Sequence, residues 1–184
     1  MRTKGLLIPL MMTLFLTGCG GEKEAKEFEN WRRQVTEAGA ISLSAEIIWQ
    51  QPDAAAEYAG EIKRSRGETT VTVTAPETIR GVTFRTSGEG RALEYAGVLL
   101  ELSPGREDVL SPCAAGELLF RALEEGTLLC TGRAEGYRTA ELETSGGERV
   151  ALWRTEDGVP VYAEIGRDGA VELIVRISCW ESKE

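Results

Sequence analysis

Apolar and polar residues alternate with a period of two through most of this 184-residue chain. The clearest example is segment 41–49, where Ile41, Leu43, Ala45, Ile47 and Trp49 are separated by polar or small residues. The same alternation recurs around Val73, Phe84, Leu93, Ala140, Val150, Ala163 and Val175. A segment of this kind has one buried and one solvated face when it is extended. The sequence therefore predicts a fold made mainly of half-buried strands.

Short turn sequences separate these strands at close intervals. They are Gln51-Pro52-Asp53, Arg66-Gly67, Ser87-Gly88, Ser145-Gly146-Gly147, Asp157-Gly158 and Asp168-Gly169. Glycine allows a positive φ at such corners, and Asp-Gly pairs favour tight hairpins. Successive hairpins predict an antiparallel meander.

Two segments have helical spacing instead. Residues 22–37 carry Phe28, Trp31 and Val35 at intervals of three and four, which is a narrow apolar stripe, and Gly39 follows them. The second helix is expected to begin with Ser111 as cap and Pro112 at its first position, to bury Leu118, Leu119 and Leu123, and to end at Gly126.

The first eighteen residues have the properties of an export signal. Arg2 and Lys4 precede an apolar run at 6–16, which is shorter than the roughly 20 apolar residues of a transmembrane helix. The run ends in Leu16-Thr17-Gly18-Cys19, which resembles the lipobox of bacterial lipoproteins. That resemblance implies cleavage between Gly18 and Cys19 and a diacylglycerol thioether on Cys19, with fatty acyl (palmitate-type) chains as the anchor. The alternative is an ordinary secretion signal.

These features divide the chain into four parts. They are a signal peptide at 1–18, a lipidated cysteine with a short tether at 19–23, a single domain at 24–180 and a tail at 181–184. The expected location is the outer face of the bacterial cytoplasmic membrane, with the membrane contacted through the lipid anchor.

The remaining chain is strongly acidic. Residues 19–184 keep 19 basic and 30 acidic side chains, a net charge of −11. Nucleic-acid binding needs clustered Lys and Arg, so we expect no nucleic-acid partner. The same charge disfavours a domain that lies flat on anionic lipid.

The sequence offers little for catalysis. It contains no histidine, which excludes Ser-His-Asp and Cys-His arrangements and removes the commonest zinc ligand. It also has no phosphate-binding P-loop and no G-x-S-x-G motif. We expect no catalytic residues, no metal and no cofactor.

Three cysteines remain beyond Cys19, and they are Cys113, Cys130 and Cys179. In an exported domain one pair could form a disulfide, or all three could be free thiols. Because a helix N-terminus lowers the pKa of a thiol, Cys113 is predicted to be the most reactive of the three if its thiol is exposed.

Two longer segments resemble the LolA-like lipoprotein family. "VTVTAPETIRGVTFRTSGEGRALEYAGVLLEL" (71–102) is similar to a strand, proline, glycine, strand and hairpin segment of that family, and "TEDGVPVYAEIGRDGAVELIVRI" (155–177) is similar to its C-terminal hairpins. The family includes lipoprotein carriers, mycobacterial lipid-binding lipoproteins and clostridial spore-germination lipoproteins. The resemblance implies an α+β fold, a strongly curved antiparallel β half-barrel whose concave face is covered by an N-terminal and a mid-chain helix.

In carrier relatives the concave side holds acyl chains. Residues whose phase would place them there are Ile47, Trp49, Val73, Phe84, Tyr95, Leu99, Leu142, Val161, Val175 and Ile177. The same residues could equally form an ordinary filled core.

Two binding functions follow from the resemblance. The chain is either a protein-binding scaffold for a cell-envelope or spore-germination enzyme, or a carrier or sensor of lipid acyl chains or of a lipoprotein. A structural envelope lipoprotein without a defined ligand is the third hypothesis. A permanent anchor and an acidic surface favour the scaffold.

The lipobox makes the first testable prediction. Cys19→Ser removes the sulfur that accepts diacylglycerol, so we expect the unprocessed precursor, with residues 1–18 retained, to accumulate. Intact-mass measurement of the membrane fraction checks this, and a variant matured at the same position as the wild type would contradict the assignment.

Overall fold

The structure is a computed structural model that describes residues 21–88, 90–102 and 111–183. The lipobox, Gly18 and Cys19 lie outside the described residues. Within them the chain forms two α-helices, α1 (Gly21–Glu37) and α2 (Ala115–Glu125). The strands are β1 (Ala40–Gln51), β2 (Ala54–Ser65), β3 (Glu68–Ala75), β4 (Thr83–Ser87), β5 (Gly90–Tyr95), β6 (Val98–Leu102), β7 (Thr127–Ala134), β8 (Tyr137–Glu143), β9 (Arg149–Arg154), β10 (Pro160–Arg167) and β11 (Ala170–Lys183).

All these strands belong to one curved, open antiparallel sheet. Its order is β6-β5-β4-β3-β2-β1-β11-β10-β9-β8-β7. Two meanders are therefore joined where β1 pairs with the C-terminal strand β11. The predicted fold class, a curved antiparallel sheet with an N-terminal and a mid-chain helix, is confirmed.

The ends of the predicted domain need correction. The chain is paired along β1 as far as Lys183, which lies opposite Ala40. Residues 181–183 are thus part of the sheet and not of a tail. Helix α1 already begins at Gly21, within the segment expected to be a tether.

A bulge changes the phase of β11. Ala45 pairs with Ile177 but the neighbouring Ser44 pairs with Cys179, so one extra residue is inserted at Ser178. Cys179 consequently lies on the exposed face, whereas the alternation through Val175 and Ile177 predicts an inward side chain at position 179. The next residue, Trp180, turns inward, and its ring lies 6.2 Å from that of Phe120.

Helix α2 supplies the centre of the core. Its apolar side chains at Leu118, Leu119, Phe120, Ala122 and Leu123 are all buried, and the helix packs on β2, β3, β8, β9 and β10. The predicted start and end are confirmed, since a 3₁₀ turn at Pro112–Ala114 leads into α2 and Gly126 follows its last residue. The Ser111 side chain makes no capping hydrogen bond.

The apolar stripe predicted for helix α1 packs against the end of the sheet that contains β7. Phe28 and Val35 are buried there, and Trp31 is partly buried. Opposite this stripe lies the buried Arg154, whose guanidinium carbon is 4.0 Å from the Trp31 ring centroid and 4.9 Å from that of Phe28. A cation above two aromatic faces is attracted by their quadrupoles. This contact fixes α1 against β9.

The buried core does not extend over the whole sheet. No side chain on the described residues of β4, β5 or β6 is buried, and every residue of β6 is exposed. The last buried apolar side chains on this side are Val71 and Val73 of β3. We call the three strands beyond them the β4–β6 arm.

The contact between α2 and β3 makes a prediction at Gly116. A Cβ at this position would lie 2.6 Å from Ile62 Cγ2 and 3.1 Å from Val71 Cγ2. Replacing glycine by alanine in a helix ordinarily stabilises it by about 1 kcal/mol, but overpacking a core costs about 1–3 kcal/mol. We therefore expect Gly116→Ala to lower the free energy of unfolding by up to about 2 kcal/mol, the overpacking cost less the gain in helix propensity, measured by urea titration. Gly21→Ala, with open space around its Cβ, is the control and should not lower it. Equal or greater stability of Gly116→Ala would contradict the close packing.

Candidate functional site

The β4–β6 arm carries an unusual concentration of exposed apolar side chains. Val98 and Leu99 are 58% exposed and Leu100 is 54% exposed, and Tyr95 and Leu102 are exposed beside them. Contiguous exposed apolar surface on a folded protein marks an interaction site more often than scattered single residues do. The strand that bears most of it, β6, is also the edge of the sheet.

A tight turn determines which way these side chains point. Ala96 and Gly97 connect β5 to β6 with φ of 50° and 80°, the pattern of a type I′ hairpin turn. Across this hairpin Tyr95 pairs with Val98, and Glu94 pairs with Leu99. Tyr95, Val98, Leu100 and Leu102 therefore share the concave side of the sheet with Phe84, while Leu99 and Glu101 lie on the convex side.

This register corrects two predicted cavity residues. Tyr95 and Leu99 were expected on one face, but the two-residue turn between them places their side chains on opposite faces. Both are exposed, so neither lines an enclosed space. The prediction failed because the Ala96-Gly97 turn was not recognised.

An open groove of about 920 Å³ lies along the arm and the start of α2. Among its lining residues are Ala92, Leu99 and Leu102, together with charged residues from both elements. Arg91 Nη2 lies 3.2 Å from Glu117 Oε1, an ion pair that joins β5 to α2. Arg85 Nη2 lies 3.0 Å from Glu94 Oε2, and this hydrogen bond is the main cause that raises the pKa of Arg85.

A buried carboxylate fixes the position of α2 where this helix borders the groove. Glu148 Oε1 lies 2.7 Å from Arg167 Nη2, and its Oε2 lies 3.2 Å from Nη2 of Arg121 on α2. Burial alone would raise the pKa of Glu148, but hydrogen bonds from Thr144 and Arg167 and the charge of Arg121 hold that pKa below its usual range. Glu148 is thus an ionised carboxylate that ties α2 to the sheet.

The other predicted cavity residues have different environments. Ile47, Leu142, Val175 and Ile177 are buried members of one packed core cluster, and Trp49 and Phe84 pack partly buried against it. Val73 is buried on β3. Val161 is half-buried at a register irregularity between Pro160 and Tyr162. The structure thus brings most of these residues together as a side-chain-filled core.

A second, very small cavity of about 10 Å³ lies between α1 and strands β7–β9. Arg154 Nε and Thr139 Oγ1 are buried here without a hydrogen-bond partner among the described residues. Burial, with a smaller effect of the neighbouring Arg138, lowers the pKa of Arg154 to about 10. This volume is at the lower limit of the space that one water molecule needs.

All three described cysteines are free thiols. The reactivity predicted for an exposed Cys113 does not apply, because the residue is partly buried and burial raises its thiol pKa to about 11, which outweighs the hydrogen bond with Ser111. Burial also raises the pKa of Cys130, whose sulfur lies 3.7 Å from Glu141 Oε2. Cys179 is exposed on the convex face.

The described part of the chain holds no group of three or more His, Cys, Asp or Glu residues arranged to bind a metal ion. None of its helices combines the length and apolar character needed to span a membrane.

Sequence reasoning missed the β4–β6 arm as a site. Its signal was the run Val98-Leu99-Leu100, in which adjacent residues are apolar and no lysine or proline interrupts them. Such a run cannot bury both faces on a single-layer edge strand, so at least one apolar face is exposed.

Comparison with known proteins gives matches by structure. No protein-family model matches the chain, and no curated protein matches it. A LolA superfamily protein from Nitrosomonas europaea is 14% identical, and the match covers 87% of this chain and 94% of that protein, with a TM-score of 0.50. A domain described as an outer membrane lipoprotein-sorting protein, from Vibrio parahaemolyticus, is 13% identical, with 86% and 93% coverage and a TM-score of 0.50.

A third similar structure is that of the CwlD amidase from Clostridioides difficile in complex with the GerS lipoprotein. One of its chains is 14% identical, with 90% and 98% coverage and a TM-score of 0.47. At such identities a likeness concerns the fold alone. The two matches with a TM-score of 0.50, together with the observed topology, show that this chain has the LolA-like fold.

Proposed function

We propose that this chain is a non-catalytic, lipid-anchored binding protein that acts as a scaffold for a protein of the cell envelope, such as a cell-wall or spore-germination enzyme. The observation that carries the proposal is the exposed apolar surface of the β4–β6 arm, which lies beyond the helices and is available from outside. Burial of such surface in a complex is favourable by roughly 25 cal/mol per Å² of apolar area.

The packing beneath α2 supports a protein partner over a lipid. A carrier needs an apolar space between sheet and helices, but Ile47, Leu142 and Val175 there are at most 1% exposed and belong to the packed core. An acyl chain would have to displace side chains packed at crystal-like density. The open groove does not replace this space, because Arg85, Glu94 and Glu117 contribute charges to its lining.

The charge of the chain supports a basic partner surface. With a net charge of −11 over residues 19–184, the protein attracts a positively charged partner over distances of about a Debye length. The absence of histidine and the lack of a three-ligand metal cluster in the described residues leave little for catalysis.

The predicted anchor suits a stationary role. Only Gly20 lies between the predicted lipidated Cys19 and the first residue of α1, so the acyl chains are nearly adjacent to a helix that packs on the sheet. A link this short keeps the domain near the membrane surface.

The test measures the partner protein and the lipid that co-purify with the full chain. The chain is cross-linked in cells and then purified in mild non-ionic detergent. We expect one envelope protein in stoichiometric amount from the wild type, and at least a tenfold lower recovery from the double variant Leu99→Asp, Leu100→Asp. Leu129→Asp is the matched control, because Leu129 is an exposed leucine on β7 at the opposite edge of the sheet, and it should recover the partner normally.

Native mass spectrometry of the same preparations separates the alternatives. The scaffold requires no non-covalent lipid. A bound lipid in stoichiometric amount, kept by the double variant, would instead support the carrier. Equal recovery of the envelope protein by both variants would contradict the role of the arm.

A further inference from the structure

The two edges of the sheet are protected very differently. At β7, the register is interrupted between Leu128 and Cys130 by a bulge, α1 packs against the strand, and Arg133 Nε lies 3.6 Å from Glu24 of α1. Bulges and covering helices are devices that prevent other strands from pairing with an edge. The β7 edge is therefore closed to strand addition.

None of these devices is found at β6 among the described residues. Val98–Leu102 pairs with β5 in continuous register without a bulge, contains no Pro or Lys, and is exposed at every position. Four of its five residues are apolar. An exposed, regular, apolar edge strand pairs readily with another extended chain.

The hairpin geometry identifies the backbone groups that are free to pair. Tyr95 and Val98 flank a two-residue turn and so hydrogen-bond to each other. Because bonding alternates along an antiparallel strand, Val98, Leu100 and Leu102 bond to β5, and the N–H and C=O groups of Leu99 and Glu101 point away from the sheet.

The side chains beside these groups define a partner of particular chemistry. A strand added next to β6 has one set of side chains beside Val98, Leu100 and Leu102 and the other set beside Leu99 and Glu101. Glu101 has no ion-pair partner among the described residues, whereas Glu94 on the same convex face is already paired with Arg85. Binding is therefore most favourable when the side chains of the first set are apolar and those of the second set are basic.

We infer that β6 is a strand-addition site that takes an extended segment of a partner protein in which apolar and basic residues alternate. This inference rests on the proposed scaffold function and specifies how the partner binds. Pairing with a second copy is disfavoured, because it brings two acidic chains together through five residues a side, where stable interfaces use roughly 20–30 residues.

The experiment uses the full chain in non-ionic detergent and the probe acetyl-Lys-Val-Lys-Val-Lys-Val-Lys-amide. Binding is followed by anisotropy of the labelled peptide, and its location by hydrogen exchange of the backbone amides. We expect saturable binding and protection of the outward-pointing amides of Leu99 and Glu101.

Amide methylation separates strand addition from simple side-chain contact. We expect the peptide to add antiparallel to β6, as every neighbouring pair of strands in this sheet does. In that orientation the lysines lie on the convex face opposite Leu99 and Glu101, so their amides are the ones that bond to β6. N-methylation of the lysines should weaken binding at least tenfold, since it removes the N–H groups that the peptide donates to β6. N-methylation of the valines should change it by less than about threefold.

Protein variants complete the test. Leu99→Pro removes an outward N–H that β5 does not use, so it should abolish binding while leaving the sheet intact by circular dichroism; Leu99→Val is its control and should bind normally. Glu101→Lys should weaken the lysine peptide about three- to fivefold and favour a peptide with glutamate in place of lysine, the scale of an exposed ion pair.

Several outcomes would overturn the inference. They are no binding, equal effects of the two methylated peptides, or a dimer of the chain without peptide that Leu99→Pro dissociates. If the two methylated peptides have equal effects, the recovery of an envelope protein can still depend on Leu99 and Leu100. The scaffold function then survives without strand addition. If the peptide adds to β6 but the purified chain carries only lipid, the scaffold function is wrong, while the conclusion that β6 accepts an added strand remains supported.

Discussion

The burial of α2 against the concave face of the sheet is the interaction on which the rest of the structure depends. Its apolar side chains fill the space over β2, β3 and β8–β10, where a single curved sheet would otherwise expose one apolar face to water. Burial of the large ones, the three leucines and Phe120, contributes roughly 1.5–3 kcal/mol each. Because α2 has only eleven residues, it covers the middle of an eleven-stranded sheet and leaves β4–β6 uncovered.

Polar contacts fix the position of that helix more specifically than apolar packing can. The Glu148 carboxylate forms ion pairs with Arg121 of α2 and Arg167 of β10. Arg64 of β2 forms another with Glu124 at the end of the same helix. Losing Arg121 or Arg167 would leave the buried Glu148 carboxylate uncompensated, so the contacts of Glu148 strongly penalise alternative positions of α2. Gly116 adds a steric condition, since α2 approaches Ile62 too closely for any side chain there.

Much of this fold could be predicted from sequence because its signals are local. Alternation identified the strands, and Phe28, Val35 and Leu119 identified the helical faces that the structure buries. The errors arose where one inserted residue or one tight turn changes the phase of everything after it. A bulge at Ser178 has no sequence signature, and the turn at Ala96-Gly97 lacks the Asn or Asp that usually marks such hairpins. Whether ten apolar residues line a cavity or fill a core depends on how deeply a distant helix packs, which no local pattern contains.

An uncovered apolar edge ordinarily leads to aggregation, so its persistence in this chain needs a physical explanation. Charge provides one, because a net charge of −11 over residues 19–184 makes copies of the chain repel one another while it attracts a basic surface. Glu101 places one such charge within β6 itself, beside the backbone groups that a second copy would have to approach. A lipid anchor at Cys19 would strengthen the need for this repulsion, since it would concentrate copies on one membrane. The same acidic surface that discourages self-pairing therefore selects, for β6, a partner strand of opposite charge.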